Sequence, residues 1–500
     1  MTPKLFLVVL LGLVGWTMGT QEVQQDSKIL VCYYGSWSVY RPGNGAFNVE
    51  DIDPMICTHI IYGFVGLTVD GVMEVLDPWN DLEENDGRGA MRRFTNLKQI
   101  NPNLKTLLAI GGWNDCEPLV GKNCEKYANM ASTAANRRRF IDSVIPFLER
   151  YNFDGFDLDW EYPTFRGGRP EDKANFALLC AEMRAEFNSR GWLLTAAVSA
   201  GEPTINDAYD IPSISQSLHH IFLMAYDMHG GWESYTHHNS PQGLIPEDAP
   251  HANSSFLTVQ YAVDVWLNGG CPASKLSLGM GTYGRGWLLQ SEAETGFYAP
   301  TSGLIDAGPY TREPGIWGYN EIIEKQASEA GWRVVRNAAI VGPYAVQGRR
   351  WIGYDDVESI GVRVQYLLQK GLGGGMFWSI ETDDFRGLHS SERYPLLKTA
   401  RRGLSGTIPT PPPTTTRDPT APTTTTTTLP PDGVCRAPGI IPHPENCRQY
   451  ITCVPNGSGG YDQIVTNCPE GTIFDPNMGA CNWYDQVPDA PELCNERVWF

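Results

Sequence analysis

Residues 153–163 read Phe-Asp-Gly-Phe-Asp-Leu-Asp-Trp-Glu-Tyr-Pro, and within them Asp157, Asp159 and Glu161 alternate with Phe156, Leu158 and Trp160. Period-two alternation is the signature of a β-strand, so the three acids share one face and the three hydrophobes the other. Same-face neighbours stand roughly 6.5–7 Å apart, close enough for carboxylates in a partly dry site to repel one another. Such a cluster cannot ionise fully near neutral pH. One member keeps its proton, which is the requirement for a general acid. Two plainer readings compete. A solvated acidic loop would not carry Phe, Leu and Trp between its acids, and a calcium loop needs a flexible turn rather than a stiff aromatic run.

The elements that position these acids are legible in the rhythm of the chain. Short β-rich apolar runs occur at 29–34, 59–64, 106–110, 153–159, 194–199, 221–226, 276–282 and 375–379. Helical stretches fall between several of them. In residues 171–190, Phe176, Leu179, Cys180, Met183 and Phe187 form one apolar stripe, with Gly191 as a stop. Strands alternating with helices predict an α/β fold, an eight-fold (β/α) TIM barrel, with an open doubly wound sheet as the alternative. The long gap between the seventh and eighth runs predicts a small α+β insertion over about 288–351.

Barrels of this kind carry their sites at the carboxyl ends of the strands. There the sequence places an aromatic residue repeatedly: Trp37, Phe64, Trp113, Tyr162, Tyr226, Tyr283 and Trp378. A lone Trp usually packs, whereas recurrence at one end of seven strands predicts a groove lined with flat apolar faces, suited to stacking on sugar rings.

Residues 1–19 have Lys4, an apolar run from Leu5 to Val14 and small residues near a plausible cleavage point, which predicts a secretory signal peptide. The even total of twelve cysteines fits an oxidising compartment. Sequons at Asn253 and Asn456 are compatible with export. A formal charge of −19 argues against nucleic-acid and anionic-membrane partners. Composition then divides the mature chain into a large part at 20–404, a Thr/Pro-rich stalk at 405–432, and a small part at 433–500 holding half of the cysteines. The stalk cannot bury a core, and the last part is too small to fold without disulfides.

Over residues 28–402 the chain resembles glycoside hydrolase family 18, the chitinase family of animals. The motif Asp-x-x-Asp-x-Asp-x-Glu stands complete as Asp154, Asp157, Asp159 and Glu161, and Gly111-Gly112-Trp113, Met224-Ala225-Tyr226-Asp227, Tyr283-Gly284-Arg285 and Trp378-Ser379 follow in order. The resemblance implies a retaining reaction in which the substrate's own 2-acetamido oxygen is the nucleophile. In that scheme Glu161 is the general acid and base, Asp159 holds the acetamido N–H, and Asp157 shares charge with Asp159. Tyr226 orients the acetamido oxygen, while Asp227 and Arg285 grip the sugar. Trp37, Phe64, Gly112, Trp113, Tyr162, Met224, Trp232, Tyr283 and Trp378 complete the expected substrate site. Asp154, at the strand start, is expected to be structural. Two alternatives are a non-hydrolytic chitin-binding lectin and an endo-β-N-acetylglucosaminidase acting on N-glycan cores.

The small part resembles the peritrophin-A type of chitin-binding domain (carbohydrate-binding module family 14), through Cys447-x-x-Tyr450-x-x-Cys453 and Gly471-Thr472-Ile473-Phe474-Asp475 ahead of Cys481-Asn482-Trp483. The resemblance implies the pairs Cys435–Cys453, Cys447–Cys494 and Cys468–Cys481. Tyr450, Tyr461, Phe474 and Trp483 are the candidate sugar-stacking residues, some of which must instead pack. In the large part a Cys32–Cys57 bond is implied by the resemblance, and Cys116–Cys124 reads as a local loop bridge. Cys180 and Cys271 are suggested as a further pair, with a buried thiol at Cys180 as the alternative. His219, His220, His229, His237, His238 and His251 match no metal spacing, so hydrogen-bonding roles are expected. The expected partners are chitin and chitooligosaccharides, with no nucleic acid or membrane. No cofactor or metal is expected, and the protein is expected to be a secreted monomer.

Overall fold

The computed structural model describes residues 28–116, 125–251 and 256–405, and short stretches between 435 and 483. The leader at 1–19, both sequons, Cys124, Cys494 and the stalk beyond Ser405 lie outside the described residues. The chain divides into two compact units, Met1–Pro412 and Pro413–Phe500.

In the first unit eight parallel strands close into a barrel. They are β1 (Ile29–Gly35), β2 (His59–Leu67), β3 (Lys105–Gly111), β4 (Gly155–Asp159), β5 (Leu193–Ser199), β6 (His220–Met224), β7 (Leu276–Gly281) and β8 (Gly374–Trp378). Each overlaps one of the eight apolar runs. Closure runs through β1, where Cys32 aligns with Phe377 of β8 on one side and with Ile60 of β2 on the other. β2 continues past Phe64 because Met73–Val75 folds back antiparallel on its end. β6 stops at Met224, short of Tyr226.

Strand alternation sorts the core into two layers. Val31, Tyr33, Ile61, Leu107, Ala109, Phe222 and Met376 fill the barrel interior. Leu30, Cys32, Ile60, Leu108, Phe156 and Leu158 face outward and pack with Phe140, Val144, Leu148, Phe176 and Met183 from the surrounding helices. The helix Asp172–Asn188 buries Phe176, Leu179, Cys180, Met183 and Phe187, the stripe read from its sequence. Asp154 sits at the opposite end of the barrel from the site, accepting from Thr106 N at 2.8 Å and Lys98 Nζ at 2.9 Å, so its role is structural.

Between β7 and β8 an antiparallel sheet orders Thr301–Leu304, Tyr283–Leu289, Arg350–Tyr354, Tyr344–Gln347 and Arg333–Val335, with the helix Tyr319–Ser328 beside it. The insertion is thus wider than the 288–351 span at both ends. Tyr283–Leu289 and Arg350–Tyr354 are its central pair, with Trp351 opposite Trp287. Glycines in the first of these strands broke the apolar pattern that would have marked it.

The second unit has a three-stranded antiparallel sheet (Gly439–Pro442, Gln449–Pro455, Tyr461–Asn467) and a hairpin of Thr472–Asp475 with Ala480–Trp483. Disulfides join Cys32 to Cys57 and Cys435 to Cys453. Cys447 and Cys468 are also disulfide-bonded. The pair suggested between Cys180 and Cys271 does not form: both are buried free thiols. Cys180 packs inward from its helix among apolar neighbours, where burial pushes its thiol pKa far up, and the Cys271 Sγ instead points at Pro272 O, 3.7 Å away. Phe474 is likewise reassigned from sugar stacking. It is buried, its ring centroid 5.3 Å from that of half-buried Tyr450, so it builds the small core. The side chains of Tyr461, Cys481 and Trp483 lie outside what is described.

Candidate active site

β4 delivers the acids. Its outward residues Phe156 and Leu158, with Trp160 just past its end, are buried in the helix layer, and Asp157 and Asp159 consequently face the barrel interior. Asp157 is fully buried and accepts from Tyr33 Oη of β1 at 2.7 Å and from Thr195 Oγ1 of β5 at 2.5 Å. Burial raises its pKa to about 6 against the opposing pull of these two donors. Asp159 is pushed well above the usual carboxylate range by burial, then by the charges of Glu161 and Asp157. Its Oδ1 is buried without a hydrogen-bond partner. Glu161 follows the strand. Burial lifts it to about 7, while a hydrogen bond from Tyr162 and the cation of Arg166 pull it back down. At neutral pH the row therefore holds fewer charges than carboxylates, as its spacing requires.

Two glycines admit this arrangement. Gly111 and Gly112 both take left-handed φ angles, +108° and +74°. A Cβ on Gly111 would lie 2.1 Å from Asp159 O, and one on Gly112 would lie 2.7 Å from the Phe64 ring. The Gly112 N–H donates to Asp159 O at 2.9 Å, tying the turn after β3 to the end of β4.

Around the acids stand three aromatic groups. Trp37, Phe64 and Trp378 form a wall from β1, β2 and β8. Phe64 is near-parallel to both tryptophans, with ring centroids 6.2 and 5.7 Å away. A second group joins β6 to the insertion: Asp227 accepts from Tyr283 Oη at 2.6 Å and Arg285 Nε at 2.5 Å, and the Arg285 guanidinium lies over Trp232 at 5.1 Å. Tyr226 stands between them, its ring 6.1 Å from Tyr283 and its hydroxyl against Met376 Sδ at 3.7 Å. Met224 packs into the same interior cluster. The third group is Trp113, half exposed, with Arg166 over its face. Non-proline cis peptides occur at Gly63–Phe64, Glu161–Tyr162 and Trp378–Ser379.

The geometry thus gathers Glu161, Asp159, Asp157, Tyr226, Asp227, Arg285 and the three aromatic groups. Tyr162 departs from its expected stacking role. Its ring packs on the outer core, and its hydroxyl serves Glu161. Sequence reading missed Tyr33, Thr195 and Arg166. Thr195 was accessible in principle, because it is the register partner of Asp157 on β5. Among the described residues no group of His, Cys, Asp and Glu side chains is arranged to hold a metal ion. His229, His237 and His238 are instead buried and hydrogen-bonded, to Glu233, Asp248 and the Tyr354 carbonyl.

The family model for Glycosyl hydrolases family 18 matches residues 29–383. The chain belongs to that family. The Chitin binding Peritrophin-A domain model matches residues 435–489, in the second unit. Chitotriosidase-1 of Mus musculus is 36% identical over 468 residues, 91% of this chain and 95% of the mouse protein. The crystal structure of Ostrinia furnacalis Group IV chitinase in complex with allosamidin is 41% identical, with a TM-score of 0.72 over 76% of this chain and 100% of that one. Human YKL-39, a pseudo-chitinase with retained chitooligosaccharide binding properties, is 36% identical with a TM-score of 0.67, again over 76% of this chain and 100% of that one.

Proposed function

We propose that this family 18 member is a secreted chitinase that cleaves β-1,4-linked N-acetylglucosamine polymer with retention, the substrate's acetamido group acting as nucleophile. The observation that carries the reading is the row of buried Asp157 and Asp159 with half-buried Glu161, in which Glu161 is raised to about 7 and so protonated over the range in which a general acid must work.

Glu161 donates its proton to the glycosidic oxygen as the bond to the anomeric carbon breaks. The acetamido carbonyl oxygen closes on that carbon, giving a cationic oxazolinium-type intermediate. Asp159 suits the acetamido N–H, because its Oδ1 is buried and lacks a donor. Asp157, held by Tyr33 and Thr195, keeps one negative charge beside it, so the pair stabilises the cation while sharing a proton. Tyr226 supplies a hydroxyl for the acetamido oxygen, and Asp227 with Arg285 grips the adjoining sugar. Glu161, now ionised, takes a proton from water, which opens the intermediate.

Sugar faces stack on the Trp37–Phe64–Trp378 wall and on exposed Trp113 and Trp232. The second unit supplies polymer affinity and raises the local concentration of chain ends and surfaces. The leader-like residues 1–19 and the disulfides support action outside the cell. A test follows from the nucleophile: chitohexaose should be cleaved and a fully de-acetylated hexamer should be inert. Comparable cleavage of both would refute substrate assistance.

A further inference from the structure

Trp113 is exposed on the loop after β3, where a ring has little to hold its angle, yet two sets of contacts fix it. From below, the next turn is anchored by buried Asp115, which accepts from Lys126 Nζ at 2.8 Å, Tyr127 Oη at 2.6 Å and Leu67 N at 3.3 Å. From the side comes Arg166. Its guanidinium carbon lies over one face of the Trp113 ring, 3.7 Å from the centroid. Its two terminal nitrogens then split: Nη2 donates to Trp113 O at 3.0 Å, and Nη1 donates to Glu161 O at 3.1 Å. One side chain thus bridges the aromatic platform and the main chain of the acid. Arg166 also holds a left-handed φ of +49°, a conformation that favours glycine and that its surroundings must therefore hold in place. Its own carbonyl is within 3.4 Å of Cys116 Sγ, on the same turn as Trp113.

We propose that Arg166 is a positioning residue that covers one face of Trp113, leaves the other for the sugar next to the scissile bond, and locks the distance from that sugar to Glu161. The proposal rests on the chitinase reading above. A planar fork is needed for this, since only a guanidinium can stack on the ring and donate in its own plane to two carbonyls at once. Lysine would preserve the charge and lose the rest. The charge has its own consequence. Glu161 faces Asp159, Asp227, Tyr162, Tyr209 and Tyr226 as well as Arg166, and Arg166 is the cation that lowers its pKa.

The test is a double-substitution cycle in the full chain carrying Glu161→Gln, read as chitohexaose affinity by tryptophan fluorescence. Arg166→Met and Trp113→Ala should each weaken binding roughly three- to tenfold, and the combined variant should bind no worse than Trp113→Ala alone. In the otherwise native enzyme, Arg166→Met should raise KM more than it lowers kcat and move the alkaline limb of the pH profile upward. Arg166→Lys should restore the limb and leave KM high. Additive weakening in the cycle, or Arg166→Met with unchanged affinity, would overturn the inference while leaving the chitinase reading intact. A native chain that neither binds nor cleaves chitohexaose would sink that reading, and the role of Arg166 with it.

Discussion

Tyr33→Phe and Thr195→Val each remove one donor to Asp157 and almost no volume. Hydrogen bonds to a charged acceptor contribute about 1.5–3 kcal/mol. At about 1.4 kcal/mol per unit, losing either donor should raise Asp157 by roughly one to two pH units above its value of about 6. The direction follows from which form is held: the hydroxyls donate to the anion, so their loss favours the protonated acid. If the Asp157–Asp159 pair must carry one negative charge to stabilise the intermediate, the acid limb of kcat/KM moves up by the same amount. The assay is kcat/KM for chitohexaose from pH 4 to pH 9 for the native chain and both variants. The alkaline limb, set by Glu161, should move less. Stability gives an independent reading. Asp157 has a folded pKa above its ordinary value of 3.8, so folding binds its proton and stability falls as pH rises between the two values. Each variant extends that fall to higher pH. The Tm gap between variant and native chain should therefore be wider at pH 8 than at pH 5. Acid limbs that stay in place in both variants, with a constant Tm gap, would refute the assignment of Asp157 as the group whose charge is shared.

The native profile itself should be bell-shaped, with kcat/KM falling about tenfold per pH unit above the Glu161 value of about 7; a plateau to pH 9 would rule Glu161 out as the acid. Gly111→Ala should cost well over 2 kcal/mol, seen as lost soluble expression or a Tm drop of several degrees, because its Cβ meets Asp159 O in a left-handed backbone. Alkylation under denaturing, non-reducing conditions should label Cys180 and Cys271 in mass spectra, and a cross-linked peptide joining them would contradict the structure. In the second unit, Phe474→Ala should abolish folding, whereas Tyr450→Ala should leave it folded; equal melting behaviour of the two would remove the distinction drawn from their burial.

The barrel was legible because its strands are apolar on both faces, and the acids were legible because they interrupt that pattern on one face only. Alternation along a single strand is a local property. What touches the acids is not. Tyr33 and Thr195 reach Asp157 from neighbouring and opposing strands, a relation set by register and closure rather than by any window of sequence. Arg166 lies in a loop just before Gly167 and Gly168, where no period announces a side chain's direction. Its role depends on a left-handed backbone that only the folded chain displays. Cysteine parity misled for Cys180, whose place on the apolar stripe of its helix already marked it as a packing residue. The groove aromatics were found by position at strand ends, yet the same rule over-read Tyr162, whose ring turns to the outer core. The insertion's edges were misplaced because its first strand carries both glycines and the site residue Arg285.

The central claim is that the Glu161 carboxyl delivers the proton to the leaving oxygen. Chitohexaose turnover by Glu161→Gln at the pH optimum, measured beside its affinity, tests this most directly. The account predicts a fall of roughly two to four orders of magnitude in kcat with binding retained. Turnover within a few-fold of the native chain would contradict it.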